Sequence, residues 1–184
     1  MMHITLLDIP GAAIIDTERG GDARGSFARW FCQNELAGLL QDSIIRQINH
    51  SFTRERGTIR GMHFQHPPAA EKKIVRCLAG GVLDVIVDLR CTSPTFMAWR
   101  GIELSAENEH ALLIPEGCAH GFQTLTDDVQ LLYLHTAFYD PTFEGGLRYD
   151  DPRLSIAWPL PPTQVSQRDL RHPLLQDDFN GIHL

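Results

Sequence analysis

Titratable side chains are concentrated in one stretch of the sequence, residues 57–84. This stretch contains His63, Lys73 and Asp84 among residues that are typical of β-strands bounded by Gly and Pro. Side chains on consecutive strands of a small β domain converge on one cavity. Because imidazole takes and returns a proton near neutral pH, we expect this cavity to carry out acid/base chemistry.

A histidine base needs partners, and the sequence offers candidates for each. A carboxylate that holds the ring in one tautomer makes the histidine a better base, and Asp84 and Asp169 are the candidates for this role. Tyr133 could supply a proton from another direction, and Lys73 could stabilise negative charge on an oxygen. An isolated His or Tyr in a β protein is more often a hydrogen-bonded structural residue, but their number here favours a functional role.

A metal site is the second interpretation of the same residues. Residues 115–120 read PEGCAH, the PxGxxH spacing of cupin barrels, and His63, His66 and Glu71 precede them. A metal-binding cupin needs two histidines separated by one residue, so that both face the same side of a strand. Gln65 occupies that position, and His66 is expected to face the other way. We therefore expect no bound metal.

Short strands separated by Gly and Pro turns make up most of the chain. Only two segments are predicted to be helical: residues 34–40, with Asn34 as a possible cap, and residues 164–178. Many short strands with few helices are typical of an all-β sandwich or barrel in a single domain, residues 1–184. The predicted strands are residues 3–7, 12–17, 27–31, 44–52, 59–64, 74–78, 82–89, 96–104, 111–114, 120–125 and 129–137.

Composition excludes several classes of function. The net charge of −7 and the lack of a basic stripe argue against nucleic acid as a partner. No apolar run reaches the length of a membrane span, and the first fifteen residues do not resemble a secretory leader. The 4 cysteines show no CxxC pair. These features predict a reduced cytoplasmic protein with no membrane partner.

Several motifs, in one order, resemble the dTDP-4-dehydrorhamnose 3,5-epimerase family. The resemblance runs from about Asp22 to Pro159, and IRGMHFQ at residues 59–65 is close to the family's LRGLHFQ. Further matching segments are residues 75–77, 88–90, 93–96, 104–108, 114–117 and 119–122.

The resemblance implies a fold and a reaction. The fold would be an all-β, cupin-type double-stranded β-helix, or jelly roll, with short peripheral helices and a C-terminal tail, about residues 160–184, packed on the barrel. The family is usually a homodimer and uses no cofactor. Its substrate is a nucleotide-linked 4-keto-6-deoxyhexose, which it inverts at C3 and C5 by removing and returning protons through an enolate.

The resemblance also assigns roles to residues of this chain. His63 would be the base, Asp169 its orienting carboxylate and Tyr133 the acid. Lys73, partnered by Asp84, and His120 would stabilise the enolate oxygen. The substrate-binding positions are Arg24 and Arg60 for the pyrophosphate, Tyr139 for stacking on the base, and Gln47, Asn49 and Glu144 for the nucleotide or sugar.

Two departures from the family pattern lie where the nucleotide is expected. The family's GFFxE segment reads GSFAR at residues 25–29, so Arg29 replaces an acidic contact, and Ile48 interrupts the family's QDN. Neither change touches the predicted proton-transfer residues. Other interpretations stay open: a different nucleotide, a C3-only epimerase, a ketoisomerase, or a non-catalytic sugar-binding cupin.

Overall fold

The computed structural model describes all residues 1–184 and is dominated by antiparallel β-strands. The strands are β1 (Met2–Leu6), β2 (Ala13–Thr17), β3 (Arg19–Asp22), β4 (Gly25–Ala28), β5 (Gln47–Thr53), β6 (Ile59–Gln65), β7 (Lys73–Ala79), β8 (Gly81–Asp88), β9 (Trp99–Ser105), β10 (Ala111–Ile114), β11 (Cys118–Thr124), β12 (Val129–His135) and β13 (Glu144–Gly146). The helices are α1 (Ala37–Leu40) and α2 (Gln167–Leu170). No helix is long and apolar enough to cross a membrane.

Two sheets form the body of the protein. One has six strands in the order β1-β2-β10-β7-β12-β5, and the other has five in the order β13-β6-β11-β8-β9. Strands that are distant in sequence lie side by side in both sheets, and β3 and β4 form a separate hairpin. This is the predicted jelly roll with short peripheral helices.

The apolar core explains why the strands alternate imperfectly in sequence. Val82 and Ile86 on β8 belong to a cluster of 13 buried residues that also takes in side chains of the six-stranded sheet. Val85 and Val87 on the same strand belong to a second cluster that includes residues of the C-terminal tail. Because both faces of β8 are covered, the strand is apolar at almost every position.

The C-terminal tail contacts the five-stranded sheet at several points. Val165 forms a parallel bridge with Ile59, and Ile182, which is buried, forms one with Arg90. The predicted tail helix is wrong in extent, since only Gln167–Leu170 is helical. Pro173 follows closely, and proline disfavours helical geometry in the residue before it.

The N-terminal helix also differs from its prediction. It begins at Ala37 rather than at residue 34, and its N-cap is Leu36. No side chain accepts a hydrogen bond at this cap, so the predicted cap by Asn34 is wrong. The helix is instead held by its apolar side, because Leu36 and Leu40 are buried in a third cluster.

Strands β6 and β11 approach each other closely beside the predicted site. A Cβ atom added to Gly121 would lie 2.5 Å from the Met62 sulfur and 2.8 Å from the Arg60 carbonyl oxygen. His63 and His120 pair directly across these strands, and the register shifts just after His120. The absence of a side chain at Gly121 therefore sets the spacing of the two strands that carry the histidines.

We expect Gly121→Ala to destabilise the fold by about 1–3 kcal/mol, because the added methyl group must displace buried neighbours. Urea unfolding measures the change. Gly38→Ala is the matched control, since a Cβ atom added there would have no neighbour within 4 Å and the residue is helical. That control should be neutral or stabilising by up to about 1 kcal/mol. Equal stability of both variants would contradict the close approach of β6 and β11.

Candidate active site

A cavity of about 720 Å³ opens between the two sheets. This volume lies within the range of small-molecule sites, roughly 300–1,000 Å³. Its walls come from strands of both sheets and from the tail near α2. Nine of the thirteen predicted site residues line it: Asn49, Arg60, His63, Lys73, His120, Tyr133, Tyr139, Glu144 and Asp169.

His63 and Asp169 form a hydrogen-bonded pair at the cavity wall. Nε2 of His63 lies 2.7 Å from Oδ1 of Asp169, and the Gly61 amide donates to the other carboxylate oxygen at 3.2 Å. Burial raises the pKa of Asp169. The hydrogen bond to His63, the charge of His63 and the Gly61 amide lower this pKa by more than burial raises it, so the net shift is downward. An ionised Asp169 holds the ring proton on Nε2, which leaves the lone pair of Nδ1 free to accept a proton.

Tyr133 lies on the opposite sheet from His63. It sits on β12, and its hydroxyl is 3.2 Å from Oγ of Ser51 on β5. Burial is the main cause of a strongly raised pKa for Tyr133. The phenol therefore keeps its proton at neutral pH and is available as an acid.

Asp84 pairs with His120 rather than with Lys73. Nε2 of His120 lies 2.8 Å from Oδ1 of Asp84, and both side chains are buried. The predicted Asp84–Lys73 pairing is therefore wrong. The reason is register: His120 and Asp84 are diagonal neighbours on adjacent strands of one sheet, whereas Lys73 belongs to the other sheet.

Lys73 instead joins a network that was not predicted. Its ammonium group lies 3.3 Å from Glu71, whose other oxygen is 2.9 Å from Nδ1 of His135. Burial raises the pKa of Glu71, but the His135 hydrogen bond and the Lys73 charge outweigh it and lower the pKa. The sequence carried a signal for His135, since it lies two residues after Tyr133 and so faces the same side of the strand.

The metal interpretation does not match the geometry of the strands. His66 follows β6, is exposed, and packs its ring against Phe64 with centroids 4.9 Å apart. It does not join His63 in the cavity, and Glu71 is engaged by Lys73 and His135. The cupin metal triad is therefore not assembled by these residues.

Polar residues at the cavity mouth form a second group. Arg60 donates from Nε to the Thr53 hydroxyl at 3.0 Å. The Tyr139 hydroxyl donates to Glu144 at 3.0 Å, and Arg168, which was not predicted, pairs with the same carboxylate. Gln47 does not line the cavity itself, but it hydrogen-bonds Asn49 and the Tyr139 backbone.

Arg24 and Arg29 lie outside the cavity. Arg24 is at the tip of the β3–β4 hairpin, 89% exposed, and pairs with Asp22. Arg29 follows the hairpin and pairs with Glu35. Within one chain, the expected convergence of Arg24 with Arg60 does not occur, because Arg24 lies on a separate two-stranded hairpin and does not line the cavity.

Together, the fold and the site define a class of protein. A cupin-type jelly roll whose cavity places a carboxylate-oriented histidine opposite a half-buried tyrosine is built for acid/base chemistry on a small molecule. The family model described as dTDP-4-dehydrorhamnose 3,5-epimerase matches residues 6–177 of this chain. The chain belongs to the dTDP-4-dehydrorhamnose 3,5-epimerase family, which confirms the family and the fold predicted from its motifs.

Individual relatives are similar over almost their full length. A dTDP-4-dehydrorhamnose 3,5-epimerase from Salmonella typhimurium is 40% identical over 177 residues, covering 95% of this chain and 96% of that protein. The structure of dTDP-6-deoxy-D-glucose-3,5-epimerase from Legionella pneumophila, in complex with dTDP-4-keto-L-rhamnose, is 37% identical with a TM-score of 0.91, covering 100% of this chain and 99% of that one. The structure of a 3'-monoepimerase from Streptomyces bikiniensis, in complex with dTDP-quinovose, is 35% identical with a TM-score of 0.84. It covers 91% of this chain and 85% of that one.

The lowered pKa of Glu71 makes a prediction about stability and pH. The unfolded state takes up a proton on this residue near its ordinary pKa of about 4.3, whereas the folded state resists until a lower pH. The stability that Glu71 contributes is therefore present above about pH 5 and is lost as the pH falls through the folded pKa. Glu71→Gln should lower stability at neutral pH and flatten the acid limb of the curve.

Urea unfolding at several pH values between about 7 and 3 measures this effect. Glu107→Gln is the control, because Glu107 is exposed and takes part in no ion pair. An acid limb that is as steep in Glu71→Gln as in the control would contradict the ionised Glu71 network.

Proposed function

We propose that this chain is a dTDP-4-dehydrorhamnose 3,5-epimerase, which converts dTDP-4-dehydro-6-deoxyglucose into dTDP-4-dehydrorhamnose. The observation that carries the proposal is the His63–Asp169 pair on one wall of the cavity with Tyr133 on the other, in a member of this family. The reaction follows from the chemistry of the sugar. Its 4-keto group acidifies the hydrogens on both neighbouring carbons, C3 and C5.

In the proposed mechanism, Nδ1 of His63 removes the proton. The electron pair of the broken C–H bond moves into the carbonyl group and forms an enolate. The imidazolium ion that results is stabilised by the Asp169 carboxylate, which is 4% exposed and stays ionised. Lys73 and His120 would stabilise the enolate oxygen, and the buried Asp84 holds the His120 ring in place.

Tyr133 would return a proton to the other face of the carbon. Its position on the sheet opposite His63 supports this role, because inversion needs the two protons to move on opposite faces. Donation leaves a phenolate in a partly desolvated site, and the raised pKa of Tyr133 means that this phenolate favours taking a proton back at neutral pH. Ser51, which lines the cavity in hydrogen-bond contact with the phenol, would relay a proton from water back to the phenolate.

The residues at the mouth would hold the nucleotide. The Arg60 guanidinium suits the pyrophosphate, and Asn49 and Glu144 offer contacts to the nucleotide or sugar. Tyr139, which is 53% exposed, offers a ring for stacking on the base. Similarity extends both to 3,5-epimerases and to a 3'-monoepimerase, so C3-only epimerisation is the second candidate.

We further propose that the active form is a homodimer in which the β3–β4 hairpin of each chain completes the partner's cavity. Arg24 cannot serve the cavity of its own chain from the hairpin tip. The hairpin carries Phe27, 81% exposed, and the edge strand β5 beside the cavity carries Ile48, 62% exposed. Apolar side chains exposed on a hairpin and on an unpaired sheet edge favour association of this kind. We also propose that residues 1–184 form a single domain and that the protein is cytoplasmic. The four cysteines are free, which agrees with a reducing compartment.

The experiment that tests the reaction uses deuterated water and dTDP-4-keto-6-deoxyglucose, with deuterium at C3 and C5 followed by NMR. We expect label at both carbons with the native protein. His63→Ala should abolish exchange at both carbons and leave dTDP binding nearly unchanged. Tyr133→Phe should slow net inversion more than exchange, because proton removal does not need the phenol.

Each outcome of this experiment is informative. Label at C3 alone would establish the mono-epimerase instead. Near-normal exchange in His63→Ala would remove His63 as the base, and equal loss of both processes in Tyr133→Phe would mean that Tyr133 only shapes the cavity. If neither the dTDP-linked sugar nor its GDP-, CDP- and UDP-linked counterparts exchange, the remaining interpretation is a non-catalytic sugar-binding cupin.

The hairpin proposal predicts complementation between two impaired variants. Arg24→Ala should raise KM by weakening pyrophosphate binding, and His63→Ala should be inactive. When the two are unfolded and refolded together, half of the dimers are mixed, and each of these holds one cavity with both native residues. The mixture should regain about one quarter of the native activity. Activity no higher than the sum of the separate variants would show that Arg24 acts within its own chain or not at all.

A further inference from the structure

A cluster of three side chains beside the cavity includes one residue, His172, that the proposed reaction does not use. One ligand atom from each of His63, Asp169 and His172 lies within 4.8 Å of the others. We propose that these three residues bind a divalent transition metal ion, with Zn²⁺ as the probe, and that the bound ion switches off the proposed base. The inhibitory part of this inference rests on the proposed function, whereas metal binding does not.

The donor set suits a borderline metal ion. Two imidazoles and a carboxylate, with a fourth position open to water, form a common Zn²⁺ site. Bonds of about 2.0–2.1 Å place neighbouring ligand atoms about 3 Å apart. The distance of 2.7 Å between His63 Nε2 and Asp169 Oδ1 needs only a small increase to reach that spacing. Asp169 also supplies the negative charge that an uncharged pair of histidines lacks.

His172 is the residue that distinguishes this cluster from a simple His–Asp pair. Its ring meets that of His63 edge-on, with centroids 6.0 Å apart. Its Nε2 is buried and has no hydrogen-bond partner, so a ligand bound there would satisfy an otherwise unpaired polar atom. His172 does not line the cavity itself, and it packs against Gly146 behind His63. It can therefore be removed without changing a residue that faces the sugar.

The bound metal ion would change which ring nitrogen of His63 carries the proton. In the free protein, the proton lies on Nε2 and faces Asp169, which leaves the lone pair on Nδ1. A metal ion bound at Nε2 uses the electron pair of that nitrogen, so a neutral ring must carry its single proton on Nδ1 instead. The atom that would remove the substrate proton then has no free electron pair. Inhibition should therefore act on turnover, while nucleotide binding at the mouth persists.

The test measures Zn²⁺ binding by isothermal titration calorimetry, independently of turnover. All proteins carry His183→Ala, because His183 Nδ1 lies 3.2 Å from the Cys91 sulfur and this pair could bind Zn²⁺ separately. We expect one ion per chain, and His172→Ala should weaken binding at least about tenfold. His3→Ala, an exposed histidine far from the cluster in sequence, is the matched control and should bind as its parent does.

Activity supplies the second readout. Without metal, His172→Ala should keep near-native deuterium exchange, and Zn²⁺ should inhibit the parent protein but not this variant. Mg²⁺, a hard ion that prefers oxygen ligands, should have no effect on either. Absence of stoichiometric Zn²⁺ binding, or equal binding by His172→Ala and its parent, would overturn the site. Binding that depends on His172 but leaves exchange intact would overturn the inhibitory role alone. If no substrate exchanges, calorimetry still decides the site.

Discussion

The hydrogen bond between His63 and Asp169 joins parts of the chain that are 106 residues apart. The candidate base lies on a barrel strand, whereas its orienting carboxylate belongs to the tail. Asp169 is fixed in turn, since its amide donates to the Ser166 hydroxyl at the start of α2 and its carboxylate accepts from the Gly61 amide. Docking of the tail and orientation of the imidazole are therefore one structural event, held in place by Ile182 in the apolar core.

The other charged side chains of the cavity are also held in pairs or networks. An ionised group that loses water on burial is tolerated only where a partner replaces that water. His120 with Asp84, and His135 with Glu71 and Lys73, satisfy this condition. One carboxylate oxygen is an exception, because Oδ2 of Asp84 is buried without a partner. An unpaired carboxylate oxygen beside His120, the residue proposed to stabilise the enolate, is a cost that stability alone does not explain.

Local patterns predicted the strands and the chemistry well, because they depend on neighbouring residues. Alternation along β12 predicts that Tyr133 and Leu132 lie on opposite faces, and the structure has Tyr133 in the cavity and Leu132 against an apolar cluster. Features that depend on residues far apart in the sequence were harder to predict. The partner of Asp84 depends on the register of two strands and on which sheet holds Lys73, neither of which the sequence displays. His172 lies in a non-repetitive segment, so no periodicity connects it to His63.

In the proposed mechanism, the number of carbons inverted depends on how the sugar is placed rather than on the proton-transfer residues. C3 and C5 both flank the same carbonyl carbon, so Lys73 and His120 would stabilise either enolate from one position. His63 is held by Asp169 of the tail and Tyr133 by Ser51 of β5, so they would reach a second carbon only if the sugar presents it to them. That presentation is set by the anchor at the mouth, where Arg60, Tyr139 and Glu144 lie. Under this mechanism, differences among relatives in the number of inversions would arise from the residues that hold the nucleotide.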